Sequence, residues 1–434
     1  MLSLYLILFL SLFNCIKSKS LSGDRTLVLY DERISSVDDY SNFFQLLNER
    51  SYELTTLDVS NANTTVDLFQ NENRLYDNLI ILPVKGKHLN KYTPAKRLLK
   101  FIEDGGNIIS VTAPNAAPDS VRLYLNQLGI YPSPKDQKLI DYFHSNKKQE
   151  IDDTKTSSNN LLNDYVYTVN GETTFEFGKS SAALLADRDQ VIPILKASKT
   201  SLTKGKSDTT ASWTIGSEGY LVAGFQTLHN ARSLWIGSND FFLNKNFKIN
   251  QDFITELIKW AFNEKSVIKS VGFTHSHVDG VTYDEVKYKI NDDVVYEIGL
   301  SEWDGENWKP YQTQDIQFEL KKVDPYYRIN LIQSRKSKTA QYYTTGEFKL
   351  PNQHGMFKFL TSYKRRGLSF VEESDVKAVR HLANDEYPRS FTITNAWVYL
   401  TSIYGVILSF ILFTFFFIST PIVTKKVKVE KKTN

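Results

Sequence analysis

From residue 24 to residue 112 the chain alternates two hydrophobic rhythms. The run "RTLVLYD" is short, apolar and closed by a turn residue. "VDDYSNFFQLLNERS" then places Tyr40, Phe43, Phe44 and Leu47 on one helical face, the 3.6-residue period of an amphipathic helix. "YELTTLDVS" alternates as a strand does. "YDNLIILPV" is continuously apolar, as expected of a strand buried on both faces in a parallel sheet. "TPAKRLLKFIEDGGNIISVTAP" predicts a helix opened by Thr93-Pro94 and stopped at Gly105-Gly106, then a further strand. Alternating strands and helices imply a parallel sheet with right-handed crossovers.

The middle of the chain adds "DYVYTVNGETTFEF", which predicts a hairpin turning at Asn170-Gly171, because Asn-Gly tolerates the positive φ angles of a tight β-turn. "TKTSSNN" and "KTSLTKGKSDTTA" predict polar loops. "SLWIGSNDFF" predicts another buried strand. "NQDFITELIKWAFNEKSVIK" predicts an amphipathic helix bearing Phe253, Leu257, Trp260 and Ala261. A first, α/β domain is therefore expected over residues 21–265. From 266 to 390 the helical period vanishes. "EVKYKI", "DVVYEIGL", "IQFELKKV", "YYRINLIQ", "EFKL", "MFKFLTSY" and "LSFVEE" are short alternating runs, separated by turns such as "WDGENW" and "LPNQHG". That spacing predicts a β-sandwich of immunoglobulin-like size.

The two ends are apolar in different ways. Leu4 to Phe13 is a ten-residue apolar run followed by Ser18-Lys19-Ser20, which reads as a signal peptide over residues 1–20. Near the other end no charged residue occurs between Arg389 and Lys425, and one helix over about 396–418 is long enough to cross a bilayer. Trp397, Tyr399 and Tyr404 mark one interface. Lys425, Lys426 and Lys428 mark the side that the positive-inside rule makes cytosolic. Signal and span agree on a type I orientation, with the body lumenal or extracellular and residues 425–434 cytosolic. Thr401, Gly405 and Ser409 recur every four residues, a small-residue stripe on which a second helix can pack.

Composition narrows the function. The chain has 434 residues, 13% of them aromatic, and a net charge of +3. The last ten residues carry +4, so the body is close to neutral. It lacks the basic footprint of a nucleic-acid binder. The single cysteine, Cys15, lies inside the signal. The processed chain would hold no disulfide and no cysteine nucleophile. The first strand–helix turn, "YDERISSVDDY", has no glycine and four acids, Asp31, Glu32, Asp38 and Asp39. That turn would repel a pyrophosphate. No G-x-S-x-G, P-loop or H-E-x-x-H pattern occurs. His275, His277 and Asp279 in "FTHSHVDG" share a strand face and its end, but a metal wants a third ligand and an outer shell. The expectation is no catalytic residue, no cofactor and no metal. Asn63-Thr64-Thr65 is the one glycosylation sequon. Lys431 and Lys432, beyond the stop-transfer lysines, stand third and fourth from the end, as in the dilysine retrieval signal that coat proteins read.

The succession "RTLVLYDE", "YDNLIILP", "FIEDGGNIISVTAPN", "SLWIGSNDFF", "GEFKLPNQHGMFKF", one span and Lys431-Lys432 resembles the beta-subunit family of eukaryotic oligosaccharyltransferase. The resemblance covers essentially the whole processed chain. It implies a GIFT-type α/β module. It also implies a non-catalytic subunit of the endoplasmic-reticulum complex that moves a dolichol-linked oligosaccharide to Asn-x-Ser/Thr. Its implied partners are the polytopic catalytic subunit, a ribophorin II-type subunit and a defender-against-death-type subunit. The rival expectations are a cargo receptor cycling between endoplasmic reticulum and Golgi and a free-standing lumenal hydrolase.

Overall fold

The computed structural model describes residues 19–60, 64–85, 88–143, 153–169, 171–205, 211–387 and 395–421. The first apolar run forms β1 (Arg25–Tyr30), which lies between β2 (Glu53–Asp58) and β3 (Asn78–Ile81), parallel to both. β4 (Asn107–Val111) continues the parallel set and pairs in turn with a later strand, Arg232–Ile236. Period two sorts these strands onto two faces. Val28, Ile80, Ile109 and Leu234 enter one core; Leu27, Leu29, Leu79, Ile81 and Trp235 enter the other.

Each core is closed by helices. On the first face lies α1 (Ser41–Glu49), burying Phe43, Phe44 and Leu47, with Tyr40 just ahead of it in a 3-10 turn. On the second lie α2 (Ala95–Glu103) and α3 (Asp119–Leu128). α2 buries Leu98, Phe101 and Ile102, each worth about 1.5–3 kcal/mol when removed from water. It stops where the chain needs a left-handed residue. Gly105 has φ +90°, its N–H donates to Ile102 O, and the N–H of Gly106 reaches back to Phe101 O at 2.9 Å. These two bonds satisfy the last carbonyls of the helix. A Cβ on Gly106 would stand 2.3 Å from the Phe101 ring, so neither glycine is replaceable without a shift.

The sheet is mixed rather than wholly parallel. It also holds β5 (Ile130–Pro132), β6 (Ala183–Leu185), β7 (Val191–Lys196), β8 (Tyr220–Gln226) and β9 (Arg232–Ile236). The order is β2-β1-β3-β4-β9-β8-β6-β5, with β7 also on β8, and every pairing beyond β9 is antiparallel. The cause is the connection. A five-residue turn joins β8 to β9, too short for the crossover that a parallel pair requires. Helix α4 (Asn244–Ala261) then buries Phe253, Leu257, Trp260 and Ala261 on the α1 face.

Two antiparallel sheets follow. One has six strands: β10 (Val267–His277), β11 (Asp293–Trp303), β12 (Trp308–Pro310), β15 (Ile332–Lys336), β16 (Gln341–Thr344) and β17 (Phe348–Lys349). The other has four, in the order β14 (Pro325–Asn330), β13 (Gln317–Lys321), β18 (Gly355–Tyr363) and β19 (Val371–Val379). Their facing sides share one core. Val294, Tyr296, Ile298 and Leu300 of β11 meet Phe318, Leu320, Phe357 and Phe359, with the Tyr296 and Phe318 rings 4.5 Å apart. Last comes α5 (Ala396–Ser419), 24 residues whose most apolar 18-residue stretch has a mean hydropathy of 2.2, with no buried side chain.

Four expectations of local structure fail. The hairpin at Asn170-Gly171 does not form. Thr174–Lys179 instead pairs with Asp153–Ser157, so "TKTSSNN" is mostly a strand and residues 164–166 are a turn. Asn163 outcompetes the strand, because its carboxamide oxygen accepts from the N–H groups of Tyr165 and Val166 and closes a local turn. "KTSLTKGKSDTTA" likewise contains a strand, Ser201–Lys204, paired with Lys138–Asp141. "EVKYKI" is irregular, with Tyr288 turned into the core and Lys289 bridged to Arg380.

Candidate functional site

The junction between the two β-rich halves is where buried polar chemistry concentrates. After Ala261 the chain leaves α4 and enters β10 at Val267. Arg232, the first residue of β9, is fully buried beneath that exit. Its guanidinium donates five hydrogen bonds: to Gln226 Oε1 at 3.2 Å, Trp260 O at 2.7 Å, Lys265 O at 2.8 Å, Ser266 O at 2.7 Å and Ser369 Oγ at 3.2 Å. The group also lies 5.0 Å from the centre of the Trp260 ring. All five acceptors are uncharged dipoles, three of them carbonyls at or just past the end of α4. Trp260 O belongs to the last turn of α4, at the negative pole of the helix, and Lys265 O and Ser266 O lie four and five residues beyond its end. Burial pushes the Arg232 pKa down to about 9, so the side chain is still a cation at neutral pH.

The same junction holds one loop of the second half. Residues 366–370, between β18 and β19, are bound residue by residue. Asn163 Nδ2 donates to Arg366 O at 2.8 Å, Trp260 Nε1 to Gly367 O at 2.8 Å and Gln226 Nε2 to Leu368 O at 2.9 Å. The Ser369 N–H donates to Ser266 O, and Asn230 both accepts from the Phe370 N–H at 2.7 Å and donates to Phe370 O at 3.1 Å. Gly367 sits at φ +96°, with Asn163 Oδ1 2.6 Å from where a Cβ would be. This close approach is what the glycine permits. Beside the loop, Glu264 is held by Arg50 and Tyr52, which fastens the end of α4 to the end of α1.

Of these clamp residues only Trp260 is prominent in the sequence, and there as a core residue of a helix. The available signal was an arginine opening an otherwise apolar strand, "ARSLWIG", which implies a buried cation in need of acceptors. Four of the acceptors lie 6 to 34 residues from Arg232 along the chain and the fifth, Ser369, lies 137 away, so the fold has to bring them together.

The histidines of "FTHSH" do share a face of β10, and both are taken. His275 Nδ1 lies 2.9 Å from the Tyr288 hydroxyl and its Nε2 3.0 Å from Asp375 Oδ2. His277 Nε2 lies 3.1 Å from Val286 O, and its Nδ1 3.8 Å from Asp292 Oδ2. Desolvation would raise the Asp375 carboxyl, but hydrogen bonds from His275 and Lys377 outweigh it and lower the pKa. Burial raises the Tyr288 phenol. Asp279 is on the wall of an open cleft of about 540 Å³, with His277, Asp292, Lys289, Arg380 and Glu386. Among the described residues no group of three or more His, Cys, Asp or Glu side chains is placed to hold a metal ion.

At the first strand–helix turn Asp31 is itself buried. Desolvation would raise it, but bonds from the Arg33 guanidinium and from the N–H groups of Lys85 and Arg33 lower it. Asp39 accepts from the N–H and hydroxyl of Ser36. Asp31 and Asp39 are thus engaged by Arg33, Lys85 and Ser36.

On α5, Thr401, Gly405 and Ser409 lie along one side, four residues apart. The Thr401 hydroxyl donates to Trp397 O and Val398 O, and that of Ser409 to Val406 O. Their polarity is spent inside the helix, which leaves a low, apolar ridge. Asn63, Lys431 and Lys432 lie outside the described residues.

Residues 17–264 match the family described as OST48, N-terminal domain, and residues 275–421 match the OST48 middle domain. The dolichyl-diphosphooligosaccharide–protein glycosyltransferase subunit WBP1 of Saccharomyces cerevisiae is 53% identical over 411 residues, 94% of each chain. The Schizosaccharomyces pombe subunit wbp1 is 29% identical over 86% of this chain and 87% of its own. The 48 kDa subunit of the same enzyme in Drosophila melanogaster is 25% identical over 91% of this chain and 90% of its own. The matched residues include both halves of the clamp and the apolar helix. The chain therefore belongs to the OST48 family, together with WBP1 and the 48 kDa subunits.

Proposed function

We propose that this chain is a structural, non-catalytic subunit of the dolichyl-diphosphooligosaccharide–protein glycosyltransferase of the endoplasmic reticulum. The reading rests on kinship with subunits so named over 94% of the chain. The clamp supports it. The titratable groups best placed for chemistry, Arg232, Asp31, Glu264 and His275, are all bound within the chain, and what they do is hold elements together. Such a body is suited to bracing partners. In this reading residues 21–265 form a GIFT-type α/β domain and residues 266–390 an immunoglobulin-like sandwich, both lumenal. Residues 1–20 are a signal peptide, 396–418 the span and 425–434 the cytosolic tail. Asn63 carries a glycan. The partners are the polytopic catalytic subunit, a ribophorin II-type subunit and a defender-against-death-type subunit. Purification in mild detergent tests the assignment: the chain should come down in stoichiometric amounts with a polytopic glycosyltransferase, and a chain that purifies alone contradicts it.

Two parts of the reading have their own tests. Lys431 and Lys432 are a coat-read retrieval address, not part of the anchor. In a reporter fused to residues 390–434, changing both to serine should leave insertion and orientation intact while the reporter reaches the Golgi. A reporter still confined to the endoplasmic reticulum rejects the address.

The ridge Thr401, Gly405, Ser409 is a helix-packing face. A Cβ at Gly405 meets nothing within 4 Å in this chain, so only a neighbouring helix can make Gly405→Leu costly. We expect a loss of about 1 kcal/mol, roughly fivefold in recovery of membrane partners. Phe416→Leu serves as the control, and equal recovery of the two variants assigns the contact to another face.

A further inference from the structure

One flank of the sandwich is exposed on both of its faces. β14 ends at Asn330, the chain crosses from the four-stranded to the six-stranded sheet at the buried Leu331, and β15 begins at Ile332. Both strands are terminal in their sheets, so residues 325–336 run as one ribbon along the edge. Sandwich strands normally bury alternate residues. Here every residue of β15 is exposed, and five of the six in β14. The ribbon is nonetheless partly apolar: Ile332 is 66% exposed, Tyr326 40% and Tyr327 38%. Its charge is basic. Arg328 pairs with Glu319 and Arg335 with Glu297, which leaves Lys336 and Lys338 without an ion-pair partner among the described residues.

An edge strand offers a row of unpaired N–H and C=O groups that another strand can complete. Lysines alone would serve to repel such pairing. The apolar Ile332 and the tyrosines beside them do the opposite, since exposed apolar surface with a charged margin marks an interaction site. We propose that β15 is the docking edge for an extended, acid-bearing segment of a partner polypeptide. The segment adds as a further strand on β15 and meets Lys336 and Lys338 with its carboxylates, while apolar side chains cover Ile332. The inference deepens the reading of the chain as an assembly subunit and rests on it.

Amide hydrogen exchange on the full-length chain, alone in detergent and within the purified complex, tests it. Docking predicts that amides in 332–336 exchange at least tenfold more slowly in the complex. The double variant Lys336→Glu, Lys338→Glu should lose most of that protection while its thermal midpoint stays unchanged. Equal exchange alone and in the complex overturns the docking edge and leaves the subunit reading intact. Protection that survives charge reversal overturns the acid-bearing partner. A chain that never enters a complex overturns both readings.

Discussion

Arg232→Met is expected to lower the thermal unfolding midpoint of the purified full-length chain by about 6–12 °C. The substitution keeps an apolar stem of similar reach under the exit of α4 but removes all five donors. It strips one bond from each of five buried acceptors: Lys265 O and Gln226 Oε1 are left with none, while Trp260 O keeps the Asn263 N–H, Ser266 O the Ser369 N–H, and Ser369 Oγ its contact with Ser266 O. A buried group stripped of its partner costs about 1–3 kcal/mol. Against this, the variant no longer buries a cation, which returns several kcal/mol. A net loss of about 3 kcal/mol follows, and at about 2–4 °C per kcal/mol for domains of this size it gives the stated shift. Arg232→Lys should rescue little, because one ammonium on a flexible stem cannot span five acceptors. The side chain stays protonated from pH 5 to 7, well below its depressed pKa, so the shift should not vary over that range. Differential scanning calorimetry in detergent measures it. A midpoint within 1 °C of the unsubstituted chain would mean that the junction is held by something other than this clamp.

The second large effect is cellular. Depleting the chain should leave secreted glycoproteins with empty Asn-x-Ser/Thr sites, and the companion subunits should disappear together with it. The physical reason is that a brace fails by disassembly. Its removal exposes surfaces that other subunits bury, and a marginally stable complex is then lost to proteolysis. His275→Ala should leave transfer intact wherever the complex is recovered, since the ring serves Tyr288 and Asp375 inside the sandwich. Quantitative glycopeptide analysis beside subunit immunoblots separates the two outcomes. Empty sites with a full complement of companion subunits would point to a lost chemical step instead.

Much of this architecture could be read from periodicity. Tyr40, Phe43, Phe44 and Leu47 do lie in one core, "NLII" is buried at every position, and Gly105-Gly106 ends its helix by the expected bonds. These features are local, so spacing alone specifies them. The failures lie where distant residues decide. Asn-Gly at 170–171 is a strong local hairpin signal, yet Asp153–Ser157 offers Thr174–Lys179 a better partner and Asn163 folds the chain away. The switch from parallel to antiparallel at β9 is set by one short turn. The clamp was the least legible, because Gln226, Asn230, Arg232 and Ser369 are ordinary residues until the loop 366–370 is brought to them.

The central claim is that the chain braces a glycosyltransferase without performing its chemistry. The most direct measurement supplies a sequon peptide and a dolichol-linked oligosaccharide to the purified full-length chain and, in parallel, to the complex that contains it. The account predicts glycopeptide from the complex and, from the chain alone, neither transfer nor hydrolysis of the donor. Glycopeptide or released oligosaccharide from the chain alone would contradict it.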